Sequence, residues 1–118
     1  PVVLSTLPGD LYRLGLQLCA VVAASAETRV LFLGAHTPPE EMVKVAREHR
    51  ALAIAISISH AMDPRHVIPT LQQLRLDLPA AVPVVVGGAG APREVEGILK
   101  LADMRAFHDW LRARRLGV

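Results

Sequence analysis

Cysteine is all but missing: Cys19 stands alone, so no internal disulfide can form, and a single thiol fits a reducing compartment. Aromatic side chains are nearly as scarce, limited to Tyr12, Phe32, Phe107 and Trp110. With hydrophobic residues at 52% of the chain, the core must come from Val, Leu, Ile and Ala. Strands covered on both faces read as continuous aliphatic runs, so this composition points to a two-sided sheet. Long apolar runs are also lacking. Leu76–Gly90 is broken by Asp77, Pro79 and Pro83, and Ala51–Met62 carries His60. Neither supplies the ~20 apolar residues of a membrane span, and no signal peptide opens the chain. A cytoplasmic protein without a membrane partner is expected. The start at Pro1, without methionine, reads as a piece of something longer.

Charge of either sign is modest, with 13 Lys and Arg against 11 Asp and Glu. A nucleic-acid surface needs a broad basic face with interleaved aromatics. The one dense basic stretch, Arg112, Arg114 and Arg115, reads instead as a last helical turn complementing the helix dipole. Direct DNA contact is therefore not expected. A length of 118 residues makes one domain spanning residues 1–118.

What is present is an alternation of strand and helix signals. Val2–Thr6 predicts a strand, and Leu7-Pro8-Gly9-Asp10 a turn with Asp10 as N-cap. Over Asp10–Ala24 the stripe Leu11, Leu14, Leu18, Val21 and Val22 predicts a helix. Arg29–Gly34 is a second strand. Thr37-Pro38-Pro39-Glu40 reads as a capping box opening a helix to about His49, with Met42, Val43 and Ala46 inward. Ala51–Ser59 predicts a central strand, Asp63-Pro64 a helix start with a delay or kink at Pro69, and Val82–Gly87 a fourth strand. Pro92 is read as opening a helix to about Lys100, Asp103–Ala106 as an edge strand, and Phe107–Arg115 as a closing helix. Such βαβ units give a parallel sheet, here a five-stranded flavodoxin-like α/β sandwich of strand order 2-1-3-4-5. Its ligands sit beyond the carboxyl ends of the strands, which places Pro8–Asp10, Ala35-His36, Ser57–His60 and Gly87–Gly90 at the candidate site.

Asp10-Leu11-Tyr12-Arg13-Leu14-Gly15, followed by Ser57-Ile58-Ser59 and Gly87-Gly88, resembles the cobalamin-binding domain pattern Asp-x-His-x-x-Gly, Ser-x-Leu/Ser, Gly-Gly. Order and placement agree over residues 2–90. The lead-in Leu4–Asp10 with Leu14-Gly15-Leu16 is most similar to light-responsive cobalamin-dependent regulators of the MerR type, where this domain follows a DNA-binding domain and a helical bundle. In the family the histidine coordinates cobalt from below and the aspartate orients it. The first serine contacts the displaced benzimidazole tail, and the paired glycines make room for it. The resemblance thus implies cofactor-binding roles for Asp10, Tyr12, Gly15, Ser57, Ser59, Gly87 and Gly88, with adenosylcobalamin or another corrinoid as cofactor.

Tyr12 stands in the histidine's place, and a neutral phenol is a poor ligand for Co(III). Tyrosinate does ligate ferric haem in some proteins. Three outcomes stay open: cobalamin without a protein lower ligand, another tetrapyrrole such as haem, or no cofactor and a pure interaction domain. Aromatic burial with one hydrogen bond is the commoner fate of tyrosine and takes precedence over ligation. His36 and His60 are the other candidate metal ligands, although loop histidines more often bond at the surface. No histidine pair has the close spacing of a zinc site. No Gly-x-Ser-x-Gly elbow surrounds Ser57 or Ser59, Gly88–Pro92 follows the wrong strand for a dinucleotide loop, and Cys19 reads as a small core residue. The preferred reading is a non-enzymatic sensory module, possible as a homo-oligomer, that alters its assembly on binding the tetrapyrrole. A corrinoid carrier for methyl transfer or mutase chemistry is the alternative from another class.

Overall fold

The computed structural model describes residues 1–117. It comprises β1 (Val2–Ser5), α1 (Leu14–Ser25), β2 (Val30–Gly34), α2 (Pro39–Glu48), β3 (Ala53–Ser57), α3 (Pro64–Asp77), β4 (Val84–Gly87), β5 (Ile98–Lys100) and α4 (Met104–Arg115). The five strands form one parallel sheet of order β2-β1-β3-β4-β5, the arrangement expected from the alternating pattern. Helices α2 and α3 cover one face and α1 and α4 the other. Among the described residues no helix is long and apolar enough to cross a membrane.

The strands are central where the sequence is most aliphatic. Val2, Val3 and Leu4 of β1 are fully buried, and every residue of β3 is buried. Asp63 caps α3 by accepting from the Arg65 amide at 2.9 Å. Pro69 lies inside α3, and the helix runs through it to Asp77.

Several expectations are corrected. Asp10 is not a helix N-cap, because α1 begins four residues later and Arg13 precedes it without a side-chain cap. Thr37 does not cap α2 either; its hydroxyl donates back to the Gly34 carbonyl, and Pro38 occupies the cap position. Of the apolar stripe, Leu11 lies ahead of α1, Leu14, Leu18 and Val21 face solvent, and Val22 packs against the core. The helix instead turns Leu16, Cys19, Ala20 and Ala23 toward the sheet and α4, since small side chains allow the close approach. No helix begins at Pro92; residues 92–94 are irregular, and a turn at Glu96 and Gly97 is closed by the Val95–Ile98 bridge. The edge strand is Ile98–Lys100 and not 103–106, because Asp103 accepts from the Ala106 amide at 2.8 Å and so starts α4 there.

Candidate functional site

The seven residues singled out in the sequence divide into two groups at the carboxyl edge. Gly15, Ser57, Gly87 and Gly88 line one cavity of about 510 Å³, while Asp10, Tyr12 and Ser59 lie in the loops beside it. The cavity exists because of an alternation in β3. Ala53-Ile54-Ala55-Ile56-Ser57-Ile58 sends isoleucines to the α2/α3 side and small residues to the α1/α4 side. In register across the sheet, Ala55 pairs with Val85 and Ser57 with Gly87, so the small residues of β3 meet another small residue at the edge. Helix α1 brings Gly15 and Cys19 over this hollow, and α4 closes it with Met104 and Phe107.

Two glycines are set by close contacts. A Cβ at Gly15 would stand 2.7 Å from the Ser57 hydroxyl oxygen, so a larger residue there would force the Ser57 hydroxyl out of its present position. Gly88, at φ +101°, carries the chain against the backbone of Ile58, where a Cβ would collide with the Ile58 carbonyl. Gly87 is less constrained and opens onto the cavity, the nearest atom to a built Cβ being the Leu101 carbonyl at 3.6 Å.

Asp10 is buried and joins the loops. Its carboxylate accepts from the Ser59 amide and the Ser59 hydroxyl, both at 2.9 Å, and from the Tyr12 amide at 3.3 Å. Ser59 is thereby occupied in holding Asp10 and stands outside the cavity lining. Tyr12 is 52% exposed, which corrects the expectation of a packed ring: its side chain lies at the open edge, and only its backbone meets Asp10.

His36 and His60 are both exposed. The His36 ring is committed, since Nδ1 accepts the Gly9 amide proton at 2.7 Å, which fixes the remaining proton on Nε2. His36 sits at φ +55°, and its own amide donates to the Thr6 hydroxyl, whose proton goes to the Asp10 carbonyl at 2.6 Å. The loop carrying Asp10 and Tyr12 is therefore pinned from the β2 side as well as from β3. Among the described residues no cluster of three His, Cys, Asp or Glu side chains is placed to hold a metal ion.

The inner wall is mostly apolar. Burial pushes the Cys19 thiol up to about 11, so it is neutral in ordinary buffers. Lys100 and Asp103 are exposed at the rim, Lys100 donating to the Ala91 carbonyl at 3.2 Å and Asp103 capping α4. The contribution of Leu101, Met104 and Phe107 was not foreseen from the sequence. The signal was there in Asp103 followed by the apolar positions Met104, Phe107 and Leu111, a capped amphipathic helix start.

A family model described as "B12 binding domain" matches residues 1–109. Among solved structures, the fold is similar to the monomethylamine corrinoid protein of Methanosarcina barkeri, with a TM-score of 0.75 at 16% identity, covering 94% of this chain and 56% of that one. It is similar to the methanol:cobalamin methyltransferase complex of the same organism, with a TM-score of 0.85 at 14% identity over 99% and 46% of the two chains. A cobalamin-binding protein of Desulfitobacterium hafniense matches with a TM-score of 0.77 at 20% identity, over 99% of this chain and 58% of that one. The chain spans about half the length of these proteins, and at such identities the likeness is one of fold.

Proposed function

This chain belongs to the B12-binding domain family, matched over residues 1–109, and on that premise we propose that it seats the nucleotide tail of a corrinoid between α1 and α4 and relays its presence to neighbouring protein. One observation carries the reading: the cavity is lined by Gly15, Ser57, Gly87 and Gly88, the residues whose pattern implied a tail slot. The residues present fit a corrinoid held by its tail. They do not offer an imidazole beneath cobalt, because the position resembling the family's histidine carries the exposed phenol of Tyr12. Bound cobalamin would supply a cobalt whose upper ligand can be exchanged or lost to light.

In this reading the protein's own residues bind and position. Gly15 and the small face of β3 leave the space, Ser57 presents a hydroxyl to it, and the Asp10–Ser59 clasp fixes the loop at its mouth. The sequence resemblance to MerR-type light-responsive regulators favours a sensory role that is not catalytic in itself. The neighbouring protein would be the DNA-binding domain and helical bundle of a longer cytoplasmic chain, or a second copy. A methyl-transfer or mutase carrier is the second reading, favoured by corrinoid-protein neighbours of the same fold. It would have to control cobalt without a histidine at position 12.

Dark titration with adenosylcobalamin and hydroxocobalamin, followed by visible absorption and by gel filtration before and after illumination, tests the proposal. Saturable binding with a base-off spectrum and a light-dependent change in assembly is expected. Binding without any change in assembly would move the assignment to a carrier. Binding of haemin alone in a parallel titration, or of neither, would overturn the corrinoid reading.

A further inference from the structure

Helix α1 is a surface helix without a surface helix's polar face. Between Arg13 and Glu27 the chain carries no charged residue, and Gln17 and Ser25 are the only amide and hydroxyl side chains of α1. Its small residues face the sheet and α4, which leaves Leu14, Leu18 and Val21 pointing outward, 54%, 47% and 67% exposed. A helix that is apolar all round is normally covered on all sides. The spacing of the three, i, i+4 and i+7, is that of a two-helix seam, and Ser25 at i+11 continues it with a small residue. A helix lying in a membrane surface would carry Lys or Arg along its flanks, and α1 has neither.

We infer that α1 is the interface of a homodimer, in which the α1 helices of two copies pack antiparallel about Leu18 and Val21. The ends of the stripe say what covers it. Arg13 lies at one end, exposed and in no ion pair among the described residues. Glu27 lies at the other, its side chain 70% exposed with one carboxylate oxygen on Arg115 at 2.9 Å. Each stands about seven residues from the midpoint between Leu18 and Val21, or about 10 Å along the helix axis. An antiparallel pair therefore sets Leu18 of one copy against Val21 of the other. It also brings Arg13 of each copy to the end of the other that carries Glu27. A parallel pair would bring Arg13 to Arg13, so the charges choose the orientation, and the opposed helix dipoles agree with it. The twofold axis makes the patch its own complement. This interface uses the outward side of α1, away from the cavity side that carries Gly15 and Cys19. It goes beyond the corrinoid reading and is expected of the ligand-free protein, so neither proposal falls with the other.

Analytical ultracentrifugation of the ligand-free protein over a concentration series tests the surface. A dimer that dissociates on dilution is expected. Leu18→Glu should weaken it on the order of a hundredfold, with circular dichroism unchanged because the side chain is outside the core. Arg13→Glu should weaken it about fivefold to tenfold, and adding Glu27→Arg should restore it, which damage to the fold would not do. Orientation is read by oxidative cross-linking, since Cys19 is turned inward. A mixture of the Leu14→Cys and Ser25→Cys proteins should cross-link, and neither variant alone. A monomer throughout the series, or a dimer unmoved by Leu18→Glu, would overturn the interface. Cross-linking of either variant alone would overturn the antiparallel arrangement.

Discussion

The two faces of the sheet are built from the same strands and do opposite things. Toward α2 and α3, β3 and its exit present Ile54, Ile56 and Ile58, all at most 2% exposed and interlocked with Val67, Leu71 and Leu74. Toward α1 and α4 the alternate positions are Ala53, Ala55 and Ser57, and the volume left over is the cavity. One face is filled to specify the fold and the other is underfilled to hold something. A parallel strand buried on both sides can encode both, because neighbouring side chains point to opposite faces.

Exchanging the two characters breaks the comparison most severely. Ile56→Ala removes a fully packed side chain and should destabilise the protein by about 2–5 kcal/mol in urea unfolding, while the folded fraction keeps its cobalamin affinity. The mirror change, Ala55→Ile, puts the other face's side chain into the hollow. It should alter stability by less than about 1 kcal/mol, since space is available, yet lower cobalamin affinity on the order of a hundredfold in the same titration.

The clasp between the loops comes next in size. Asp10→Asn faces an amide group toward the Ser59 amide or hydroxyl and should cost about 1.5–3 kcal/mol. Faster hydrogen exchange at the Ser59 amide would locate the damage. The smallest effect is a sharpening one, read from pH. The Cys19 thiol is raised from 9.0 to about 11 by burial, so the fold favours its neutral form. Its contribution is present in full below pH 9 and is lost as pH rises through about 11. Cys19→Ala should flatten that part of the alkaline stability profile. Alkylation of the wild-type thiol should slow further when cobalamin occupies the cavity.

The strand order was legible because aliphatic runs separated by capped helices leave few topologies for a parallel sheet. Ser57, Gly87 and Gly88 were legible because each stands at or directly past the end of a strand, where the topology fixes place, whereas Gly15 was marked only by the family resemblance. The face of α1 was not. Its large side chains, Leu14, Leu18 and Val21, form a good helical stripe, but the structure turns the small stripe inward to leave room. Periodicity reports that a helix has a stripe and says nothing of which of two apolar stripes is buried. The pairing of Asp10 with Ser59 joins loops 49 residues apart, and the short strand β5, three residues long, is below the length at which alternation can be seen. Both depend on contacts that only the folded chain creates.

The central claim is that the underfilled face seats the tail, and Gly15→Leu tests it most directly, because that side chain would stand between α1 and Ser57. Visible spectra of hydroxocobalamin would be recorded against wild type and this variant, with circular dichroism to establish that both are folded. The account predicts a base-off spectrum with the wild type and no spectral change with the folded variant. A base-on spectrum with the wild type, or the same base-off spectrum with both, would contradict it.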